Sequence, residues 1–188
     1  MNRRAAGWIL GLALAVLAAG LAVWWWTGRD NGPGGGPAEE ALDGGVREKV
    51  AFDLYFPAAN GLLRTERREL EVTAAPRNRV RMLVQALLAG PRQQGLARPF
   101  PPEVKLGSVE LADGIAYIDL RWEERADPPP GGSTEEMQRV YSVVNTVALN
   151  VPPAERVALL WNGVQPTTFS GHLDTSQPLP PERAMLAR

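Results

Sequence analysis

Between Ser133 and Gly163 the chain reads STEEMQRVYSVVNTVALNVPPAERVALLWNG, the densest apolar block after the first thirty residues. Met137, Val140, Tyr141, Val144, Val147 and Ala148 recur at three- and four-residue steps, while Glu135, Gln138, Arg139 and Ser142 fall on the opposite side. That spacing predicts an amphipathic helix with one buried stripe and one solvated face. Ser133 and Glu136 stand at capping-box spacing, which predicts a helix start at Ser133. Pro152 and Pro153 forbid continuation, and Val157–Trp161 is too short for a second helix and ends at the turn pair Asn162-Gly163. A helix therefore feeds a buried strand, and something must cover the helix stripe.

Upstream, Val50, Phe52, Leu54 and Phe56 alternate onto one side of a strand that Pro57 stops. Asn60-Gly61 turns the chain, and Leu63–Val72 (LRTERRELEV) reads as a charged second strand suited to an exposed face or edge. From Pro76 to Ala89 the period becomes helical: Val80, Leu83, Val84, Leu87 and Leu88 make the stripe, and Gly90-Pro91 stops it. Gln93–Pro102 is a loop. Val104–Leu111 is a strand whose phase breaks at Gly107-Ser108, predicting a bulge, and Asp113-Gly114 turns it into a returning strand, Ile115–Leu120. After a polar loop through Gly132 comes the helix and strand already described. The segment from Gln165 on reads as covering chain. Five strands and two helices give an α/β (α+β) domain, expected as one mixed sheet with both helices packed on one face.

The first 47 residues are of another kind. After Arg3 and Arg4, Trp8–Trp26 holds nineteen residues without charge or proline, roughly 28 Å as a helix, which matches a bilayer core. The basic start and the closing Trp24-Trp25-Trp26 predict a transmembrane anchor at 8–26, residues 1–7 cytoplasmic and the rest outside. A cleaved signal peptide is the competing reading, since Ala13-Leu14-Ala15 and Ala18-Ala19-Gly20 offer small residues. Residues 27–47, rich in Gly and Pro, are a linker with a reach on the order of 25 Å. The folded domain is expected over 48–177, with a tail at 178–188. The expected location is the cell membrane, single-pass, with the domain on the extracytoplasmic side.

Charge and residue types narrow the chemistry. From Arg47 on there are 17 basic and 17 acidic residues, so no long-range field draws nucleic acid. The chain has no cysteine, which removes thiolate chemistry, disulfides and lipoprotein-type acylation. No phosphate-cradling glycine motif or G-x-S-x-G elbow is present. His172, the single histidine, stands two residues from Asp174, where the two could pair or share a metal ion; a hydrogen-bonded surface histidine is the plainer reading. Glu66, Glu69, Glu71, Asp119, Glu123 and Glu124 are carboxylates that solvated strand faces explain more simply than a glycosidase pair. Arg64, Arg67 and Arg68, with Arg77, Arg79 and Arg81, could face anionic lipid or wall polymer, or be solvated partners of nearby Glu. Trp161 reads as core and Trp122 as a candidate sugar platform. No catalytic, cofactor-binding or metal residue is assigned, and no cofactor is expected.

Several fragments, taken in order, resemble the GerMN domain family of spore-germination proteins over roughly residues 50–177. They are Leu54-Tyr55-Phe56 with Asn60-Gly61-Leu62, Ala86–Pro91, Gly114–Leu120, Tyr141–Thr146, Val157–Gly163 and Gly171-His172-Leu173-Asp174. The resemblance implies a fold like that of ring-building modules and an exported, non-enzymatic domain used in envelope or sporulation assemblies. It makes Gly90 a left-handed helix cap and Asn145 the donor or acceptor of a bond near the helix end, and it carries over no catalytic residue. The germination protein itself resembles a lipoprotein with two such domains; here there is one, behind a transmembrane segment. The expected function is a membrane-anchored scaffold or protein-interaction module whose partners are envelope proteins or further copies of itself. The alternative is a domain binding cell-wall glycan or a small ligand through Trp122 and the arginines. A hydrolase centred on His172 comes last.

Overall fold

A computed structural model of the protein describes residues 48–72 and 74–187. The anchor expected at 8–26, the residues before it and the linker at 27–47 lie outside them. Among the described residues no helix is long and apolar enough to cross a membrane.

The elements follow the expected order: β1 (Glu48–Pro57), β2 (Leu63–Val72), α1 (Pro76–Leu88), β3 (Lys105–Ala112), β4 (Ile115–Arg121), α2 (Ser133–Ala148), β5 (Arg156–Trp161) and a 3-10 turn at Arg183–Met185. Local chemistry is visible in each. Pro76 opens α1, and Gly90 closes it at φ +89°, where an added Cβ would also press into the Arg98 side chain. Asp113 (φ +50°) and Gly114 (φ +78°) are both left-handed, as a two-residue hairpin turn demands. The β3–β4 register slips between Leu106 and Val109, which is the bulge expected at Gly107-Ser108.

The strands do not form one mixed sheet. β1 and β2 make an antiparallel pair of their own, and β3, β4 and β5 make a second sheet in that order, with β4 and β5 parallel. The reason is what occupies the outer edge of β1. Asn150 accepts from the Asp53 amide through Oδ1 (3.1 Å) and donates to the Asp53 carbonyl through Nδ2 (2.8 Å), while Thr146 Oγ1 accepts from the Tyr55 amide (3.1 Å). Side chains from the end of α2 satisfy the groups that a third strand would need. Both helices consequently touch both sheets: α1 lies against β3 and the β1–β2 hairpin, and α2 against β1 and β5. Leu54, Phe56, Leu83, Leu87, Ile118, Leu120, Val144 and Leu159 form the core they share.

The second departure concerns α2. Its expected solvated face is buried: Gln138, Arg139 and Ser142 are within the protein, as is every residue from Gln138 to Val147. Segments with no periodicity of their own cover that side. Gln138 donates to the carbonyls of Ala58 (2.8 Å) and Leu62 (2.9 Å), pinning the β1–β2 turn. Asn145 grips Glu182, accepting from its amide (2.8 Å) and donating to its carbonyl (3.0 Å). Its partner is thus the C-terminal segment and not the helix end. That segment also pairs with β5, Leu179 with Val157, and with β2, Ala187 with Leu63 (2.8 Å). The helix starts at Ser133 as expected, but its capping pair lies one residue earlier than the spacing suggested. Gly132 is the cap residue and Glu135, not Glu136, reaches back to its amide (3.3 Å).

Asn145 and Asn150 each present a primary amide to both polar groups of one backbone residue, as a paired strand would. Removing one such clamp leaves a half-buried N–H and C=O without a partner, at about 1–3 kcal/mol. Asn150→Ala is accordingly expected to lower the unfolding free energy by that amount, read as a lower urea midpoint with an unchanged m-value, since neither native burial nor the unfolded chain changes much.

Candidate functional site

Glu136, displaced inward from the cap, is fully buried (0% exposed). Its Oε1 accepts from the Thr168 hydroxyl (2.6 Å) and the Ser170 amide (2.7 Å). Its Oε2 accepts from the His172 amide (2.7 Å) and faces His172 Nδ1 at 3.0 Å. Burial alone pushes this carboxyl up, but the Thr168 hydroxyl, the two amides and the His172 ring together hold it below the ordinary value. One turn on, Arg139 is 9% exposed and donates to the carbonyls of Pro99, Pro129 and Pro130 and to Ser170 Oγ (3.0 Å), over the ring of Phe100. Burial pushes its guanidinium down from the ordinary arginine value. Glu136 and Arg139 thus fasten three loops to one helix turn.

This arrangement places the expected His172–Asp174 pair differently. His172 turns to Glu136, and Asp174 accepts from the Ser176 amide (2.9 Å) and hydroxyl (2.6 Å), which hold its carboxyl below the usual range. Among the described residues no cluster of three or more His, Asp or Glu is placed to hold a metal ion. Chemically, the Glu136 oxygens are donor-saturated and sealed, so they serve to order the 168–172 loop.

The other carboxylates named from the sequence separate in the same way. Glu66 and Arg68, both read as solvated, are buried on the inner face of β2. Arg68 pairs with Glu66 and donates to the carbonyls of Ala86 (2.9 Å) and Gly90 (2.6 Å), over the Phe56 ring. Glu66 Oε2 takes the amides of Arg92 and Gln93, both at 2.8 Å. Burial raises the Glu66 carboxyl, and these amides with the Arg68 guanidinium bring it below its usual value. The pair caps the end of α1, whose last carbonyls have no helical partner and favour a cation. Asp119, also buried, accepts from Arg121 Nε (2.7 Å) and the Gly163 amide (2.7 Å), fixing the turn after β5. Gly107 leaves room for that pair, since a Cβ there would fall 2.7 Å from Asp119 Oδ2. Glu69, Glu71, Glu123 and Glu124 are exposed.

Of the aromatic candidates, Trp161 is core, edge-on to Phe169, with Nε1 donating to the Arg125 carbonyl (3.2 Å). Trp122 is half-buried. With Pro102, Glu103, Lys105 and Glu124 it lines an open concavity of about 450 Å³, and the Arg125 guanidinium stands 5.4 Å from its ring centre. None of the arginines at 64, 67, 68, 77, 79 and 81 lines it. Arg77 instead donates to the Val109 carbonyl (2.7 Å) and pairs with Glu110. Sequence reasoning passed over Glu136 and Arg139 as partners. Their spacing of three residues, one helix turn, was the available signal.

With this geometry in view, residues 53–167 match the family model described as "Germane: Sporulation and spore germination". Among solved structures, a candidate lipoprotein of Clostridium perfringens is 26% identical, covering 74% of this chain and 89% of that one, with a TM-score of 0.52. The first GerMN domain of the sporulation protein GerM from Bacillus subtilis is 19% identical over 72% of this chain and 98% of its own, with a TM-score of 0.53. The tandem GerMN domains of the same protein are 18% identical at a TM-score of 0.52, and this chain spans 46% of them. Among curated proteins there is no match.

Proposed function

Since the chain belongs to the Germane family of sporulation and spore-germination domains, we propose that it is a non-enzymatic scaffold or protein-interaction module of the bacterial cell envelope. One observation carries the reading. Among the described residues, the buried charged side chains Glu66, Arg68, Asp119, Glu136 and Arg139 are bound to backbone groups of their own domain, so these charges are spent on rigidity and are not held free for a substrate. An envelope location is supported by the uncharged stretch Trp8–Trp26 and by the likeness to a candidate lipoprotein. A single-pass anchor with the domain outside is the form we favour, with sporulation or germination assemblies as the narrower setting. Affinity isolation of the tagged full chain after cross-linking in the envelope tests this: other envelope proteins or further copies of the chain are expected, and a chain recovered alone would overturn it.

The Trp122 concavity supports a second reading, a domain that binds cell-wall glycan, because an aromatic face beside polar groups suits a sugar ring. Saturable binding of peptidoglycan fragments, weakened about tenfold or more by Trp122→Ala, is its expected signature. Binding unaffected by that substitution would rule the concavity out.

A further inference from the structure

A sheet edge is a row of unpaired donors and acceptors, and proteins ordinarily cover it. Among the described residues, three of the four edges are covered. That of β1 is held by Asn150, Thr146 and, at Pro57, the Ala97 amide; that of β3 carries the bulge and the Arg77 guanidinium on Val109; that of β5 pairs with Leu179 and Val164. The fourth is β2. Because Asp53 and Tyr55 turn their backbone groups to α2, the even-numbered residues of β1 face β2. The regular register then leaves Leu63, Thr65, Arg67, Glu69 and Glu71 with backbone groups on the open side. Among the described residues the backbone partner on that side is Ala187, at Leu63, where β2 begins. Thr65, Arg67, Glu69 and Glu71 are all exposed on a ten-residue strand with no bulge.

Charges on an edge usually guard against pairing, and which charges meet decides whether they do. A two-fold axis at position 67 sets Arg67 on Arg67, and one at 69 sets Glu69 on Glu69. An axis at 68 sets Arg67 of each copy against Glu69 of the other, and Thr65 against Glu71. Arg68, on the axis and the inner face, is already neutralised by Glu66 of its own chain. We propose that two copies of this chain join through the open edges of their β2 strands, antiparallel in the register centred on Arg68, to make one continuous four-stranded sheet. This rests on the interaction-module reading and names a second copy as the partner.

The test uses the full chain in the envelope, carrying Thr65→Cys and Glu71→Cys; the protein has no cysteine of its own to interfere. In the proposed register these positions face each other at roughly 5.5 Å between Cα atoms, within disulfide range, whereas in one chain they are about 20 Å apart. Mild oxidation is expected to give a covalent dimer. Adding Arg67→Glu should cut its yield on the order of tenfold by setting like charges against each other twice, and adding Glu69→Arg as well should restore it. The failure to form a dimer, or a dimer indifferent to these reversals, overturns the proposal. The size of the unmodified full chain released from membranes separates the two levels. An assembly larger than a monomer, in a chain whose doubly substituted form gives no disulfide between positions 65 and 71, overturns this edge and leaves the interaction reading standing. A lone monomer overturns both.

Discussion

Glu136→Gln is expected to destabilise the domain by about 3–5 kcal/mol at neutral pH, close to the effect of Glu136→Ala. Each Glu136 oxygen is surrounded by donors: Thr168 and Ser170 at one, the amide and ring of His172 at the other. A glutamine keeps the shape but turns one hydrogen towards a backbone amide that can only donate, that of Ser170 or of His172 according to its flip, and it gives up the charge that the other donors had paired. The pH dependence follows from the direction of the shift. The folded-state carboxyl lies below the ordinary 4.5, so its stabilisation is present in full above that value. It is lost as pH falls through the lower folded-state value. The gap in unfolding free energy between wild type and Glu136→Gln, followed by urea melts from pH 7 to pH 3, should therefore be flat at first and narrow below about 4.5. A gap that does not change over this range would mean the carboxylate's charge contributes nothing.

The second large effect is expected at Arg68. Arg68→Met keeps an apolar stem over Phe56 but strands the Glu66 charge in the interior and frees the carbonyls of Ala86 and Gly90 at the end of α1. Breaking one half of a buried pair costs about 3–5 kcal/mol, much of it the penalty on the half that remains. The double variant Glu66→Gln, Arg68→Met should accordingly recover a large part of the loss, because the amide oxygen of glutamine still accepts from Arg92 and Gln93 while no charge is left buried. Additive losses in this cycle would show that the two side chains act separately.

These two carboxylates also mark the limit of what the sequence disclosed. The order of elements, the bulge at Gly107, the three Gly-containing turns at Gly61, Gly114 and Gly163 and the Gly90 cap could be read from periodicity and turn chemistry, because each depends on residues adjacent in the chain. The burial of Glu66, Arg68, Gln138 and Arg139 could not. A polar residue bound to a distant carbonyl has the same letter as one bound to water, and the carbonyls of Pro99 and Pro129 that receive Arg139 leave no trace in composition. The division into two sheets was hidden for a related reason. Asn150 stands where a strand would, and side-chain amides carry no alternating pattern. His172 was visible as the single histidine, but its neighbour in space, Glu136, lies 36 residues away along the chain, and the nearer Asp174 was the wrong guide.

The grip of α2 on β1 sets an order of events in folding. A two-stranded hairpin is marginal in water without further support, and here the support comes from Thr146 and Asn150, 91 and 97 residues beyond the groups they hold. The hairpin is complete in sequence by Val72 and is met early by α1 through Arg68, but the outer edge of β1 stays open until α2 docks. Contacts that span so much chain close slowly, because loop closure precedes any reward. Folding should therefore be limited by the docking of α2 onto a preformed but fraying hairpin. Substitutions at Thr146 and Asn150 are then expected to slow folding more than they speed unfolding, read from the two arms of a chevron.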